Sequence, residues 1–487
     1  MFKKNAQRKN ESYSMSTPSQ SHLALIRQGA PLTRMQQLRL VVMLSVPAII
    51  AQLSSIVMQY IDAAMVGQLG AEASASIGLV STTTWLFGGL CSAASTGFCV
   101  QVAHKIGAND MDGVHGVLRQ GITATLCFST LLALIGMGIS PLLPQWLGGD
   151  ASIQADATRY FFIFALFMPT MQTYFLAGGM LRCSGNMHVP SMLGVVMCTL
   201  DVIFNFFLIF PSRTWSICGT DVPIPGAGLG VSGAALGTAA AEALVAVVMM
   251  WYLLTRSKEL SLRGTHGRFR PQLATIKRAL RIGGPMGVEH AVICGAQIMV
   301  TVIVAPLGVC AIAANSFAIT AESLCYMPGY GIADAATTLV GQSIGAKRRE
   351  LTRSFAYITV FLGMAVMGLM GVLMYIFAPE IIGIMTPVEE IRQLGTMALR
   401  IEAFAEPMFA ASIVAYGVFV GAGETLIPCL MNLGSIWAVR LTLAAALAPR
   451  LGLRGVWIAM CVELCYRGTI FLIHGWRRWG TTLPSVV

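Results

Sequence analysis

VVMLSVPAIIAQLSSIVMQYIDAAMVGQLG, residues 41–70, carries a single charged side chain, Asp62. About 20 consecutive apolar residues cross a hydrocarbon core as a helix, so this stretch reads as a membrane span. A counterpart lies 238 residues further on: Pro47 is matched by Pro285, and Leu69-Gly70 by Leu307-Gly308. At the same offset Ile106-Gly107-Ala108 falls on Ile344-Gly345-Ala346, Pro169 on Pro407, Gly185 on Gly423 and Pro190 on Pro428. Turn and kink residues held in one register this far mark a duplicated unit. The register changes once, where Gly230 and Gly233 match Gly452 and Gly455 at an offset of 222. The first half therefore carries 16 extra residues, roughly PSRTWSICGTDVPIPG.

Composition agrees with the first reading. Of the 487 residues 55% are hydrophobic and 11% charged, with a mean hydropathy of +0.71. Soluble domains carry about 25% charged residues, too many to reconcile with this chain. Soluble enzyme, secreted disulfide scaffold, nucleic-acid binder and disordered chain are thereby excluded. The twelve cysteines form no CxxC or zinc-like spacing, and Cys91, Cys127, Cys198 and Cys461 read as small buried hydrophobes.

Twelve spans follow from the hydropathy: 40–68, 75–102, 118–141, 158–180, 190–211, 230–254, 284–306, 313–340, 355–378, 396–420, 429–448 and 453–475. With the N-terminus inside, 24 of the 32 basic residues fall on cytoplasmic segments, as the positive-inside rule requires. That accounts for the net charge of +10 without nucleic acid. The expected organisation is a cytoplasmic arm at 1–38, a six-helix bundle at 39–255, a basic linker at 256–282, a second bundle at 283–476 and a cytoplasmic tail at 477–487. The linker's natural partner is the lipid head-group surface. Six spans per repeat leave both halves pointing the same way. They are then related by a pseudo-twofold axis along the membrane normal, with a cavity between them. No channel filter or ring of charges is visible.

The chain resembles multidrug and toxic compound extrusion (MATE) transporters across about residues 35–480. The segments that carry the resemblance are YIDAAMVGQLG, LRCSGN, LDVIFN, GVSGAALGT, PMGVEH, VGQSIGAKR and GAGETLIP, in this order and at equivalent repeat positions. It is closest to the bacterial branch with an acidic cation site in the N-terminal bundle. The resemblance implies an all-α fold of two six-helix bundles, alternating access, and export of small amphipathic, cationic compounds in exchange for inward H+ or Na+. It also implies a bacterial inner-membrane location and no cofactor; a monomer is expected.

Acids within spans are expensive, at about 2.5–3.5 kcal/mol on insertion scales, and each needs a reason. Asp62 lies in span one. Asp201 and Asn205 are one turn apart in span five, and Thr238 and Glu242 one turn apart in span six. Two carboxylates with Thr and Asn oxygens in an apolar bundle can hold a proton or a small cation; a satisfied interhelical hydrogen bond is the bland alternative. The resemblance assigns Asp62, Asp201 and Thr238 to the cation site and makes Pro47 the bending proline. Relatives with this site often have Asn four residues before the span-five acid, where this chain has Met197. The lost oxygen favours H+ over Na+ at Asp62, Asp201 and Thr238.

The second half does not repeat these acids: Val300 and Val439 stand at the positions of Asp62 and Asp201. It carries Glu289 beside His290 in span seven, Glu322 in span eight, and Glu402 and Glu406 in span ten, with Arg440 in span eleven able to neutralise one of them. Glu289 faces either a cationic substrate or Arg440. Glu463 and Arg467 read as a local ion pair, and Asp334 as a helix cap or gate.

GLGVSG (Gly228 to Gly233) fits a dinucleotide fingerprint by letters only, since it opens a membrane helix with no strand before it. No Walker A or HExxH sequence occurs and no nucleophile-base set is visible, so no enzyme is expected, and the Asn10-Glu11-Ser12 sequon sits on the cytoplasmic arm. Two readings compete with the exporter: a flippase for lipid-linked sugars, of related architecture with more basic residues in its cavity, and a membrane protein that transports nothing.

Overall fold

The computed structural model of the chain describes residues 18–217, 220–265, 267, 269 and 272–481; the Asn10 sequon lies outside them. Among the described residues ten helices are long and apolar enough to cross a membrane, and two bent pairs, each taken as one span, bring the number to twelve. Span one is Arg34–Gly67, span two Ala71–Gly107, span three Met111–Ile139, span five His188–Ile209 and span six Val231–Thr255. Span seven is Leu273–Val304, span eight Val309–Gly345, span nine Arg349–Met385, span eleven Leu426–Leu451 and span twelve Leu453–Thr481.

Spans four and ten are each broken rather than continuous. Ala151–Leu166 meets Met168–Cys183 at 48°, and Glu389–Glu402 meets Glu406–Ala422 at 60°. Pro169 and Pro407 stand at the start of the second helix in each pair. A proline there has no N–H to give and its ring collides with the carbonyl four residues back, so the preceding helix must stop. Pro47 and Pro285, by contrast, lie inside helices that run on. Span seven begins at Leu273, inside the stretch 256–282 expected as linker.

The repeat is visible in the backbone. Left-handed residues recur at the sequence offset: Gly70 (φ 115°) and Gly308 (101°), Asn109 (59°) and Lys347 (57°), Gly185 (90°) and Gly423 (78°). After the register change Gly230 (56°) pairs with Gly452 (61°). Where the first half carries its extra residues, two strands, Pro211–Ile217 and Thr220–Ala227, pair antiparallel.

The first six spans form one lobe and the last six another. Lobe cores of small and branched side chains surround Val102, Leu118 and Met180 in the first and Ile332, Leu339 and Val418 in the second. On the outside, Leu38, Val42, Val46 and Ile50 of span one stay exposed at helical spacing, a stripe for lipid rather than water. Cys91 and Cys198 are buried and Cys461 half-buried, but Cys127 is exposed, contrary to expectation. Where the solvent is hydrocarbon, a small apolar thiol has no need of a core.

Within the second lobe Glu463 is fully buried between two arginines, with Arg440 at 2.9 Å and Arg467 at 3.1 Å, while Ser435 Oγ donates to it at 2.5 Å. The expected Glu463–Arg467 pair is present. The expected partner for Arg440 is not: it sits in a wide π-helical turn, Ser435–Leu441, and is taken by Glu463 rather than by Glu289, Glu322, Glu402 or Glu406. Replacing Glu463 by Gln strands two buried guanidinium groups and should cost about 3–5 kcal/mol. The expected result is a clear fall in the thermal midpoint of detergent-purified protein. Glu389→Gln, which loses an exposed ion pair with Arg392 and keeps an oxygen for Gln393, should leave it unchanged.

Candidate functional site

Spans one and five cross so that Asp62 and Asp201 converge in the interior of the first lobe. Asn205 Nδ2 donates to Asp62 Oδ1 at 2.9 Å and to Asp201 Oδ2 at 3.2 Å. Asp201 and Asn205 are at most 1% exposed. Thr238 of span six lies beside Asp201. Four of the five first-lobe residues read from the sequence thus form one cluster, and the interhelical hydrogen bonds of the bland alternative are part of it.

Span six comes this close because Gly237 has no side chain; a methyl there would overlap the Asn205 amide. Sequence reasoning passed over Gly237, although it sits directly before Thr238. Asp201 Oδ1 and Asn205 Oδ1 are buried with no hydrogen-bond partner. Two unpaired acceptors in an apolar lobe fit a site that takes up a proton or cation. Glu242, one turn beyond Thr238, is outside these hydrogen bonds and lines a cavity between the lobes.

That cavity measures about 780 Å³. Arg182 and Asp334 lie at one end of it, and Asn315 and Trp457 within two turns of the start of spans eight and twelve at the other. Its wall holds Glu242, Glu289, Glu322 and the rings of Trp85, Tyr326 and Tyr416. Asp334 approaches Arg182 of the opposite lobe at 3.8 Å.

Below this end the lobes meet on the face where span one begins, here called proximal. His104 Nε2 lies 2.8 Å from Gly421 O, and Gln342 Nε2 donates to Cys183 O at 2.8 Å. These are equivalent contacts, since 104 and 342, like 183 and 421, differ by 238. A methyl on Gly107 would meet Gln342 O and one on Gly345 would meet His104 O, so the ends of spans two and eight touch backbone to backbone. The proximal floor is sealed by two symmetry-related hydrogen bonds. Neither half showed them by itself.

The second-lobe acids separate. Glu289 accepts hydrogen bonds from Tyr416 Oη at 2.6 Å, Cys429 Sγ at 2.9 Å and Asn432 Nδ2 at 2.6 Å, so it does not need Arg440. His290 points across the lobe boundary and packs edge-on against Trp85 at 5.2 Å. Glu322, Glu402 and Glu406 form a buried cluster, and all four carboxylate oxygens of Glu402 and Glu406 lack a partner. Among the described residues no group of three or more His, Cys, Asp or Glu is arranged to ligate a metal ion.

Comparison with known proteins matches the MatE family model twice, at residues 47–207 and 285–445, again 238 residues apart. The probable multidrug resistance protein NorM of Thermotoga maritima is 24% identical over 432 residues, covering 88% of this chain and 90% of that one. The multidrug resistance protein MdtK of Yersinia pestis is 23% identical over 455 residues, covering 91% and 95%. A crystal structure of the Vibrio cholerae MATE transporter VcmN, in a mutant form, superposes with a TM-score of 0.82 at 18% identity, covering 91% and 97%.

Gly237→Ala tests the close approach of span six. Overpacking costs typically 1–3 kcal/mol, so the thermal midpoint of purified protein should drop measurably. Gly88→Ala, with nothing within 4 Å of the added methyl, should leave it unchanged or slightly higher.

Proposed function

Because the chain belongs to the MatE family of membrane transporters, we propose that it is a secondary antiporter that exports small amphipathic, cationic compounds in exchange for inward H+. The observation that carries this reading is the Asp62–Asn205–Asp201 cluster with its unpaired oxygens, set one helical turn from the cavity. Relatives named as multidrug resistance proteins over nearly their whole length support the drug-export part.

The cluster favours H+ over Na+. A sodium site needs several inward-facing oxygens. Here Asn205 turns its N–H groups toward both carboxylates, and Met197 offers no oxygen at the turn before Asp201. Glu242 links cluster and cavity: a cation drawn to its carboxylate competes with a proton on the neighbouring acids. Pro47 leaves span one short of one backbone hydrogen bond, which lets the segment carrying Asp62 bend as the site loads.

In the second lobe Glu322, Glu402 and Glu406 supply a further set of acids that need a proton or cation, with Glu322 on the cavity wall. The aromatic wall and Glu289 suit an organic cation. A lipid-linked sugar flippase would need free basic groups in the cavity. The three arginines that line it face Asp334 or Glu463 instead. We place the proximal face, and both termini, on the cytoplasmic side of a bacterial inner membrane, so the sealed floor makes this an outward-facing state of a monomer.

Asp62→Asn and Asp201→Asn should each abolish efflux of a fluorescent cation from cells while protein levels stay near normal; Val300→Ala should transport as the parent does. Equal loss of folded protein in the two aspartate variants would return them to a structural role. In proteoliposomes, a proton gradient alone should drive transport and a sodium gradient alone should not. The reverse result would reassign the coupling ion.

A further inference from the structure

Residues ahead of span one form a short helix, Pro18–Arg27, that lies on the proximal face. Its Leu23 and Ile26 are fully buried, in a cluster shared with Met187 of the first lobe and Leu339, Val340 and Ile344 of the second. The tip of Leu23 reaches Gly185, in the turn between spans four and five, where no side chain blocks it. Arg27 Nη2 pairs with Glu259 Oε1 at 2.6 Å, after span six. From the other lobe Arg348 Nη1 donates to Ala30 O at 2.7 Å and Leu25 O at 3.4 Å, capping carbonyls at the end of the helix. One segment is therefore held by an ion pair to the first lobe, by hydrogen bonds to the second, and by two apolar side chains driven between them.

We propose that residues 18–30 are a strap that holds the proximal face shut, an autoinhibitory contact made by the chain on itself. The inference rests on the reading that the two lobes move relative to each other. Opening this face separates Gly185 and Met187 from Ile344 and Arg348, and the strap spans that gap. It must release one side before the His104–Gly421 and Gln342–Cys183 bonds can part. Leu23 and Ile26 then lose their burial and Arg27 its partner, so the strap adds its own free energy to the closed state. A ligand or membrane surface that captures Arg27 would unlock the transporter.

The experiment uses full-length protein in nanodiscs, without substrate or ion gradient. Bio-orthogonal spin labels at Asp112 and Glu350, exposed equivalents on the two lobes, report the proximal gap by pulsed dipolar spectroscopy. Arg27→Glu should raise the wide-gap fraction by about fivefold or more, and so should Glu259→Arg. The double exchange Arg27→Glu with Glu259→Arg, which restores an ion pair, should bring the fraction back. Leu23→Asn should act like the single charge reversals through lost burial alone. An unchanged distance distribution in Arg27→Glu and Leu23→Asn overturns the proposal, as does failure of the exchange to rescue. Because no transport is measured, the result stands apart from whether the ion or substrate has been assigned correctly.

Discussion

A carboxylate taken out of water must be met by something positive, and in this molecule that requirement is answered in two ways. Glu463 is met permanently, by Arg440, Arg467 and a serine hydroxyl, and becomes a fixed post of the second lobe. Asp62 and Asp201 are met by a single amide that leaves oxygens over. The first arrangement is complete as it stands. The second is complete only when a mobile positive species arrives, and that difference separates structure from work.

Most of the architecture was legible in the sequence because membrane helices are written in length and hydropathy, while turns are written in Gly and Pro. The offset of 238 pairs Gly70 with Gly308 and Gly185 with Gly423 in the sequence, and the backbone is left-handed at all four. The breaks in spans four and ten do not show in hydropathy, although Pro169 and Pro407 carry the signal: in sequence a proline that ends a helix looks the same as Pro47, which sits inside one. The strand pair is not read from the sequence because residues 211–226 stand out there only as an insertion between matched glycines.

The site was legible in part for a comparable reason. Charges are so rare in these spans that Asp62 and Asp201 declare themselves, and four-residue spacing adds Asn205 and Thr238. What the sequence could not supply was the choice among partners. Arg440 had four plausible acids within the second half and took a fifth, Glu463, because a wide turn in span eleven carries it there. Gly237 is silent in sequence since its contribution is the absence of a side chain. His104 and Gln342 are silent in sequence because their partners, Gly421 O and Cys183 O, are backbone carbonyls of the opposite lobe.

The paired floor contacts have a consequence for descent. Each joins a position in one half to the equivalent acceptor in the other, so two identical six-helix chains, associating side by side, would close over a cavity with the same two bonds. A covalent join between such subunits frees them from being alike. One copy can then keep an imidazole and the other an amide, one can collect aspartates and the other glutamates, while the crossing that both inherit stays fixed by two glycines.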